Sequence, residues 1–408
     1  MPERFSRRSF VSGALSCGAL SAWGSLVFSG RPAPRPQRKV TLTIASGADL
    51  TGARQLLNDV WNEGDPNCTA EYRIAEGSTS DQFRQMRGWA ANGEVDIVNL
   101  DAIHMAEAVS TGLLRPLDVD NRAQFLEAPL RTCQVAGDER LWAVPFNTDC
   151  GVLFHRSPGR GSLPKLRDLL ESTKSGAGRR WIAQLPQSPG PQGEAFLCNV
   201  LEHALAIDPG IVDADGVPSA EIDRWHDALQ PLRTAIGRDR VVGVAELSDE
   251  NRSVNSFVGG AATIMRNWPT RFREIDRKVA AAIAIGGLPH GILGGQNLAI
   301  TTRTRNPAEA QKWIDFMTGL PAQHVLAVHG FAPTRTNTYN DDVLQDQVPH
   351  LETLRILIGQ ARPRPGLPDY DNFSKDVQEP LRVYLFDPRV TKLPGSFVEL
   401  MKKARAGK

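Results

Sequence analysis

The chain has little charge imbalance. Among 408 residues, 47 Lys and Arg stand against 46 Asp and Glu, a formal net charge of +1. No basic excess speaks for nucleic acid, and no block of like charges reads as an interaction tail. Tyrosine is scarce, four in the whole chain, which leaves little for a tyrosine-built ferric site. No internal repeat and no long low-complexity segment occurs. Catalytic signatures are missing too: there is no G-x-S-x-G, no H-E-x-x-H and no P-loop. Glu202-His203 has no second histidine at zinc-ligand spacing. What remains is ordinary globular composition, 41% hydrophobic and 23% charged, in a length that suits two domains with full cores.

The N-terminus does not read as part of that fold. Ser6-Arg7-Arg8-Ser9-Phe10-Val11 precedes a moderately apolar stretch reaching Gly30, and Arg31-Pro32-Ala33-Pro34-Arg35-Pro36 reads as a linker. A basic n-region with Arg7 and Arg8 before such an h-region is a twin-arginine export signal. Residues 1–38 are therefore expected to engage the twin-arginine export machinery. They leave the protein periplasmic or at the cell surface, with an uncleaved h-region long enough to serve as a membrane anchor. Cys17 follows Ala14 at the place where a lipidated cysteine has Leu, and it lies very close to Arg8, so lipidation is not expected. Export permits disulfides. Cys68, Cys133, Cys150 and Cys198 allow three pairings, with small buried thiols as the alternative, and their spacings match no metal site.

The remainder is organised around residues 139–156. Two apolar runs, Leu141 to Val144 and Val152 to Phe154, flank the polar Asn147-Thr148-Asp149. That pattern suits two buried strand pieces with a ligand-accessible break between them. Pro145 cannot donate to a ladder, so an edge or an interruption is expected there.

Before this segment, Lys39 to Ser46 alternates and is β-branched, and Val95 to Leu100 is another strand. Helical spacing marks Leu56 to Trp61 and Phe83 to Trp89, and Asp101 can cap a helix running to Gly112. Strand and helix in this rhythm predict an α/β fold with a mostly parallel sheet, whose ligands lie outside the carboxyl ends of the strands. After it come an apolar helix from Phe196 to Leu205, a helix from Ile222 with a kink at Pro231, a strand at Ala262 to Met265, a buried strand at Val279 to Ile285 and another at Gln296 to Thr301. Asn306, Pro307 and Glu309 occupy the N-cap, N1 and N3 positions of a helix that Gly319 ends.

Several stretches together resemble the extracellular solute-binding proteins of ABC importers, in the maltodextrin-binding-like group of family 1. They are Asp96 to Asp118, the segment 139–156, Phe257 to Met265 with Trp268, Gly294 to Ile300, Ala310 to Thr318 with Gly330 to Arg335, and the proline-rich run near 361–373. The resemblance covers roughly residues 39–380. It implies a two-lobed, periplasmic-binding-protein-like fold of type II, each lobe a mostly parallel sheet flanked by helices, with the discontinuous lobes joined by hinge strands. Lobe I would take 39–146 plus 296–345, and lobe II 150–292 plus 349–408. The stretch after 380 is shorter than the helical C-terminus of the maltodextrin group, so no cleft residues carry over from there.

The resemblance also implies a monomer that captures a small solute, a carbohydrate first of all, and presents it to the permease subunits of an ABC importer. No enzyme activity and no cofactor are implied. A sugar offers hydroxyls and apolar ring faces, so its site needs aromatic plates beside carboxylates and amides. Trp268 matches the family's stacking tryptophan. Asp101 and Asp149 are the candidate carboxylates. Gly294, Gly295 and Asn297 would bring backbone close to the ligand, and Arg335 and Tyr370 complete the set. The alternatives are a polyamine or metal binder on the same fold and, in a different class, an exported serine hydrolase. Ser162-Leu163-Pro164-Lys165 has the S-x-x-K pattern of β-lactamases, but no S-D-N or K-T-G accompanies it. Few charges and stacked aromatics would favour sugars, and clustered acids would favour polyamines.

Overall fold

The computed structural model describes residues 39–157, 162–172, 179–189, 193–243 and 249–407. Arg7, Arg8, Cys17 and the Pro-rich run lie outside them. From Val40 onward the chain forms one compact unit.

Two five-stranded sheets carry it. The first is built from β1 (Val40–Gly47), β2 (Cys68–Ala75), β3 (Ile97–Asp101), β4 (Val144–Cys150) and β10 (Leu293–Ile300), in the order β2-β1-β3-β10-β4. The second contains β5 (Val152–Arg156), β6 (Trp181–Ile182), β7 (Val241–Val242), β8 (Ile264–Asn267) and β9 (Ile283–Gly286), in the order β7-β6-β8-β5-β9. Both sheets are flanked by helices, and this is the expected α/β, two-sheet architecture.

The expectation of mostly parallel sheets is corrected. In the first sheet β1 runs parallel to β2 and β3, but β10 runs antiparallel to both β3 and β4. In the second, β6 is parallel to β7 and β8, while β5 is antiparallel to β8 and β9. One strand in each sheet, β10 in the first and β5 in the second, enters from the other sheet against the direction of its neighbours, so each sheet is mixed.

The crossing itself is tighter than its sequence suggests. Asn147, Thr148 and Asp149 do not break the strand; they continue β4, with Thr148 fully buried. One residue, Gly151, separates β4 in one sheet from β5 in the other. The return crossing lies beside it, where Gly151 N–H donates to Ile292 O at 3.2 Å and Leu293 pairs with Cys150. Pro145 behaves as its chemistry requires. It sits on the edge strand β4, and the register shifts opposite it, between Gln296 and Asn297.

Each sheet has its own core. Leu42, Ile44, Trp313, Ile314 and Leu326 pack on the first sheet, and Leu153, Trp181, Phe196, Trp225 and Leu381 on the second. A further cluster, with Cys150, Val152, Leu293 and Leu354, covers the crossing. The helix Thr79–Ala91 starts at a full capping box between Ser78 and Asp81. The helix Pro307–Met317 forms as expected, but Asn306 caps it without a side-chain hydrogen bond. Ile222–Gly237 runs through Pro231, and Val279 to Ile285 shortens to β9. Cys68, Cys133, Cys150 and Cys198 are free, buried thiols. Among the described residues no helix is long and apolar enough to cross a membrane.

Candidate functional site

A cavity of about 700 Å³ opens where strand ends of both sheets meet. The first sheet brings Asp101 from the carboxyl end of β3, Asn147 and Asp149 from β4, and Gly294, Gly295 and Gln296 from β10. From the second side come Trp268, directly after β8, and Glu194, in the first turn of the helix Gly193–Ile207. Asp371, Ser374 and Gln378 of the helix Tyr370–Phe386 and the N-terminus of Thr79–Ala91 close the rim. Ser80 Oγ donates to Asp371 Oδ1 across that rim at 2.8 Å.

Arg364 is the electrostatic centre of one wall. Its side chain is 4% exposed and donates to Glu194 Oε1 at 2.8 Å and to Asp101 Oδ1 at 3.2 Å. Glu194 also accepts from the hydroxyls of Tyr370, at 2.5 Å, and Ser374, at 2.8 Å. Burial alone would raise the Glu194 carboxyl. Arg364 and the two hydroxyls outweigh it and hold the group below the ordinary glutamate range. Asp101 additionally accepts from Ile103 N–H, so it is both the cap of the turn after β3 and a cavity carboxylate.

Asp149 has no such support. Its carboxylate accepts no hydrogen bond among the described residues. Burial, with Asp101 nearby, pushes its carboxyl up to about 7, although Arg364 and Arg266 pull the other way. Arg54 also lines the cavity. It is 5% exposed, rests between the rings of Phe146 and Phe331, and donates to Ser46 and to Gln296.

Five of the eight expected site residues therefore line one cavity: Trp268, Asp101, Asp149, Gly294 and Gly295. Three do not. Asn297 follows Gln296 on β10, and strand alternation turns it to the opposite face, where it is 2% exposed and donates to Thr132 Oγ1 at 3.0 Å. Arg335 lies on the Phe125 ring and donates to Thr318 O and Gln124 Oε1. Tyr370 stands behind the wall, its hydroxyl spent on Glu194. The residues missed by sequence reading are Arg54, Glu194, Gln296 and Arg364. Arg364 and Gln296 carried a signal, one in the proline-rich run and the other in the stretch Gly294 to Ile300; Arg54 and Glu194 carried none.

The charge inventory is richer than expected for sugars. Asp81, Asp101, Asp149, Glu194, Glu250, Asp371 and Glu379 line the cavity with Arg54, Arg84, Arg364, Lys375 and Arg382. Much of it is internally neutralised, as in the Asp81–Arg84 and Arg364–Glu194 pairs. Such groups offer charged donors and acceptors to hydroxyls, which are stronger hydrogen-bond partners than neutral ones. Trp268 and Phe331 supply aromatic surface. A second cavity of about 740 Å³ shares Ile103 and Arg364 with the first, but alanine, leucine, isoleucine and glycine make up most of its lining. Fewer polar groups converge there.

Other motifs resolve as structure. Glu202 and His203 are fully buried; Glu202 pairs with Arg266, and His203 Nε2 accepts from Trp181 Nε1 at 3.2 Å. Ser162 and Lys165 are exposed and do not line the cavity. Among the described residues no group of three or more His, Cys, Asp or Glu could hold a metal ion.

No family model matches the chain. It is 28% identical over 251 residues to a protein of Deinococcus radiodurans described as a probable ABC transporter-binding protein. The match takes in 56% of this chain and 59% of the relative, so the chain spans about three-fifths of that protein's length. Among solved structures it is similar to maltose-bound MalE3 of T. maritima, with a TM-score of 0.74 and 21% identity over 90% of this chain and 99% of that one. It is also similar to the sugar-binding protein MalE of Xanthomonas citri, at 0.72 and 17%, over 90% and 96%. A third likeness is UgpB of Mycobacterium tuberculosis in complex with glycerophosphocholine, at 0.70 and 16%, over 90% and 97%. These likenesses show the two-lobed fold.

Proposed function

We propose that this protein is an exported solute-binding protein. It captures a sugar or oligosaccharide in the cavity between its two sheets and hands it to the membrane subunits of an ABC importer. The observation that carries the reading is the convergence, in one cavity, of an aromatic plate at the end of β8 and carboxylates and amides from β3, β4 and β10. That is the donor set a polyol with apolar ring faces requires. The relatives point the same way, since their descriptions name transport and sugar binding.

In this reading the lobes 39–146 plus 296–345 and 150–292 plus 349–408 close on the ligand about the crossings at Gly151 and Ile292. Closure converts binding into a surface the importer recognises. The protein acts as a monomer, reaches its place by the twin-arginine route through Arg7 and Arg8, and does no chemistry on its cargo. A polyamine reading is less well supported, because arginines and a lysine offset the acidic side chains of the cavity.

The test is a thermal-shift screen of the purified protein against mono- and oligosaccharides, glycerophosphocholine, spermidine and divalent metals. A ligand present at a hundred times its dissociation constant stabilises by about 2.7 kcal/mol. Stabilisation by a saccharide supports the reading. Stabilisation by spermidine or a metal, with no saccharide active, overturns it.

A further inference from the structure

Glu202 and Arg266 do not line the cavity, yet both side chains are fully buried, at 0% exposure. They meet in a two-point bridge. Arg266 Nε donates to Glu202 Oε2 at 2.6 Å and Nη2 to Oε1 at 2.5 Å. A buried pair of this kind adds little net stability, because desolvating two ions offsets their attraction. Apolar side chains of similar volume would fill a core as well. What distinguishes this pair is what it touches.

Glu202 Oε1 accepts the Ile292 N–H at 3.1 Å, at the return crossing. It also fills the space over Gly151, at the outward crossing. A Cβ at position 151 would lie 1.9 Å from Oε1 and 2.8 Å from Arg266 Nη2. On its other side the Arg266 guanidinium lies over the Trp268 ring, 4.1 Å from the centroid. The same ring lines the cavity, and Glu250 Oε1 holds its Nε1 at 3.3 Å. A guanidinium is planar and can support an indole face to face; an ammonium cannot.

We propose that the Glu202–Arg266 pair is a positioning device: it seats the Trp268 plate and fastens it to both crossings, so that plate and crossings move as one body. The seating stands on geometry alone. Its consequence for the ligand rests on the carbohydrate reading above.

Replacing one partner strands a buried charge and threatens the fold, so the test uses Glu202→Leu with Arg266→Met, which removes both charges together. Acrylamide quenching of Trp268 is isolated by subtracting the same protein carrying Trp268→Phe. Affinity for maltotriose, the saccharide probe, is measured by calorimetry. The expected result is a folded double variant in which Trp268 quenches at least twofold more and maltotriose binds about tenfold more weakly. A folded double variant with native quenching and native affinity overturns the proposal. Should the double variant fail to fold, Arg266→Lys decides the matter. It keeps the charge opposite Glu202 and loses the plane, so quenching of Trp268 must rise; native quenching there overturns the proposal. Quenching needs no ligand, so failure of maltotriose to bind the native protein counts against the carbohydrate reading alone.

Discussion

Asp149 Oδ1 stands where a side chain at position 294 would have to go. The two residues are cross-strand partners on β4 and β10, and a Cβ on Gly294 would come within 2.1 Å of that oxygen. The same Cβ would approach the Trp268 ring to 3.4 Å. Glycine at 294 thus leaves room for both a carboxylate and an aromatic plate beside one strand. Gly295 is constrained differently, by a φ of 121° and by the Asn147 carbonyl 2.5 Å from its would-be Cβ.

Gly294→Ala tests this arrangement. The added methyl displaces Asp149 or tilts Trp268, and overpacking of this kind costs about 1–3 kcal/mol. Saccharide affinity, measured by calorimetry, is expected to fall at least tenfold while the melting temperature drops by only a few degrees. Native affinity in Gly294→Ala would show that neither Asp149 nor Trp268 faces the ligand.

Trp268→Ala separates a plate from a core residue. Trp268 is half-buried, whereas Trp313 is fully buried and donates to Asn58 at 3.1 Å. Removing a core tryptophan costs about 3–5 kcal/mol of stability. Removing an aromatic anchor costs roughly 2–4 kcal/mol of binding. Trp268→Ala is expected to lose affinity with a modest loss in urea melts, and Trp313→Ala to lose stability first. A Trp268→Ala protein that binds normally but melts much earlier would make Trp268 a core residue.

Strands carried most of the legible information. β1 announces itself by β-branched alternation, β3 and the second half of β10 by short apolar runs, while Gly294 and Gly295, which read as loop residues, extend β10. Trp268, Asp101 and Asp149 are legible because cavity walls form at strand ends. Asn297 was misplaced for a reason of period. One step along a strand reverses the face, and the register shift beside Gln296 cannot be read from composition. Glu194 and Arg54 were not legible. Their roles depend on Arg364 and on Phe146 and Phe331, residues distant in sequence that the fold brings together. The mixed sheets were missed because a crossing strand and a βαβ strand have the same pattern.

The proposed export route rests on Arg7 and Arg8. Replacing both by Lys keeps the charge but removes the guanidinium pair that defines the signal. The expected outcome is accumulation of the protein inside the cell, read by fractionation and immunoblot. Unchanged export would reject the twin-arginine route and leave the binding site reading untouched.

The pH dependence of stability should carry the mark of Asp149. Its carboxyl is raised to about 7 in the folded chain, while an unfolded aspartate titrates near 3.9. Between about pH 4 and 7 the native state therefore holds a proton that the unfolded state lacks. Stability from this group falls as pH rises through that window and levels off above about 7, where the folded protein keeps an unpaired carboxylate. Buried His155 and His203 and half-buried His350 act in the opposite sense. Burial depresses each to about 4, so their contribution is lost as pH falls below about 6.5. The native profile mixes both trends, and the difference between native protein and Asp149→Asn removes the histidines. Each tenfold change in proton affinity is worth about 1.36 kcal/mol, and contact with cavity solvent discounts the total to on the order of 2 kcal/mol. Asp149→Asn is accordingly expected to gain stability over the native protein on going from pH 5 to pH 8, in urea melts without ligand. Saccharide affinity should move the other way at pH 8, because the neutral amide cannot replace a carboxylate as acceptor for a ligand hydroxyl. A stability difference that stays flat from pH 5 to pH 8 would mean that Asp149 is ionised throughout and already compensated.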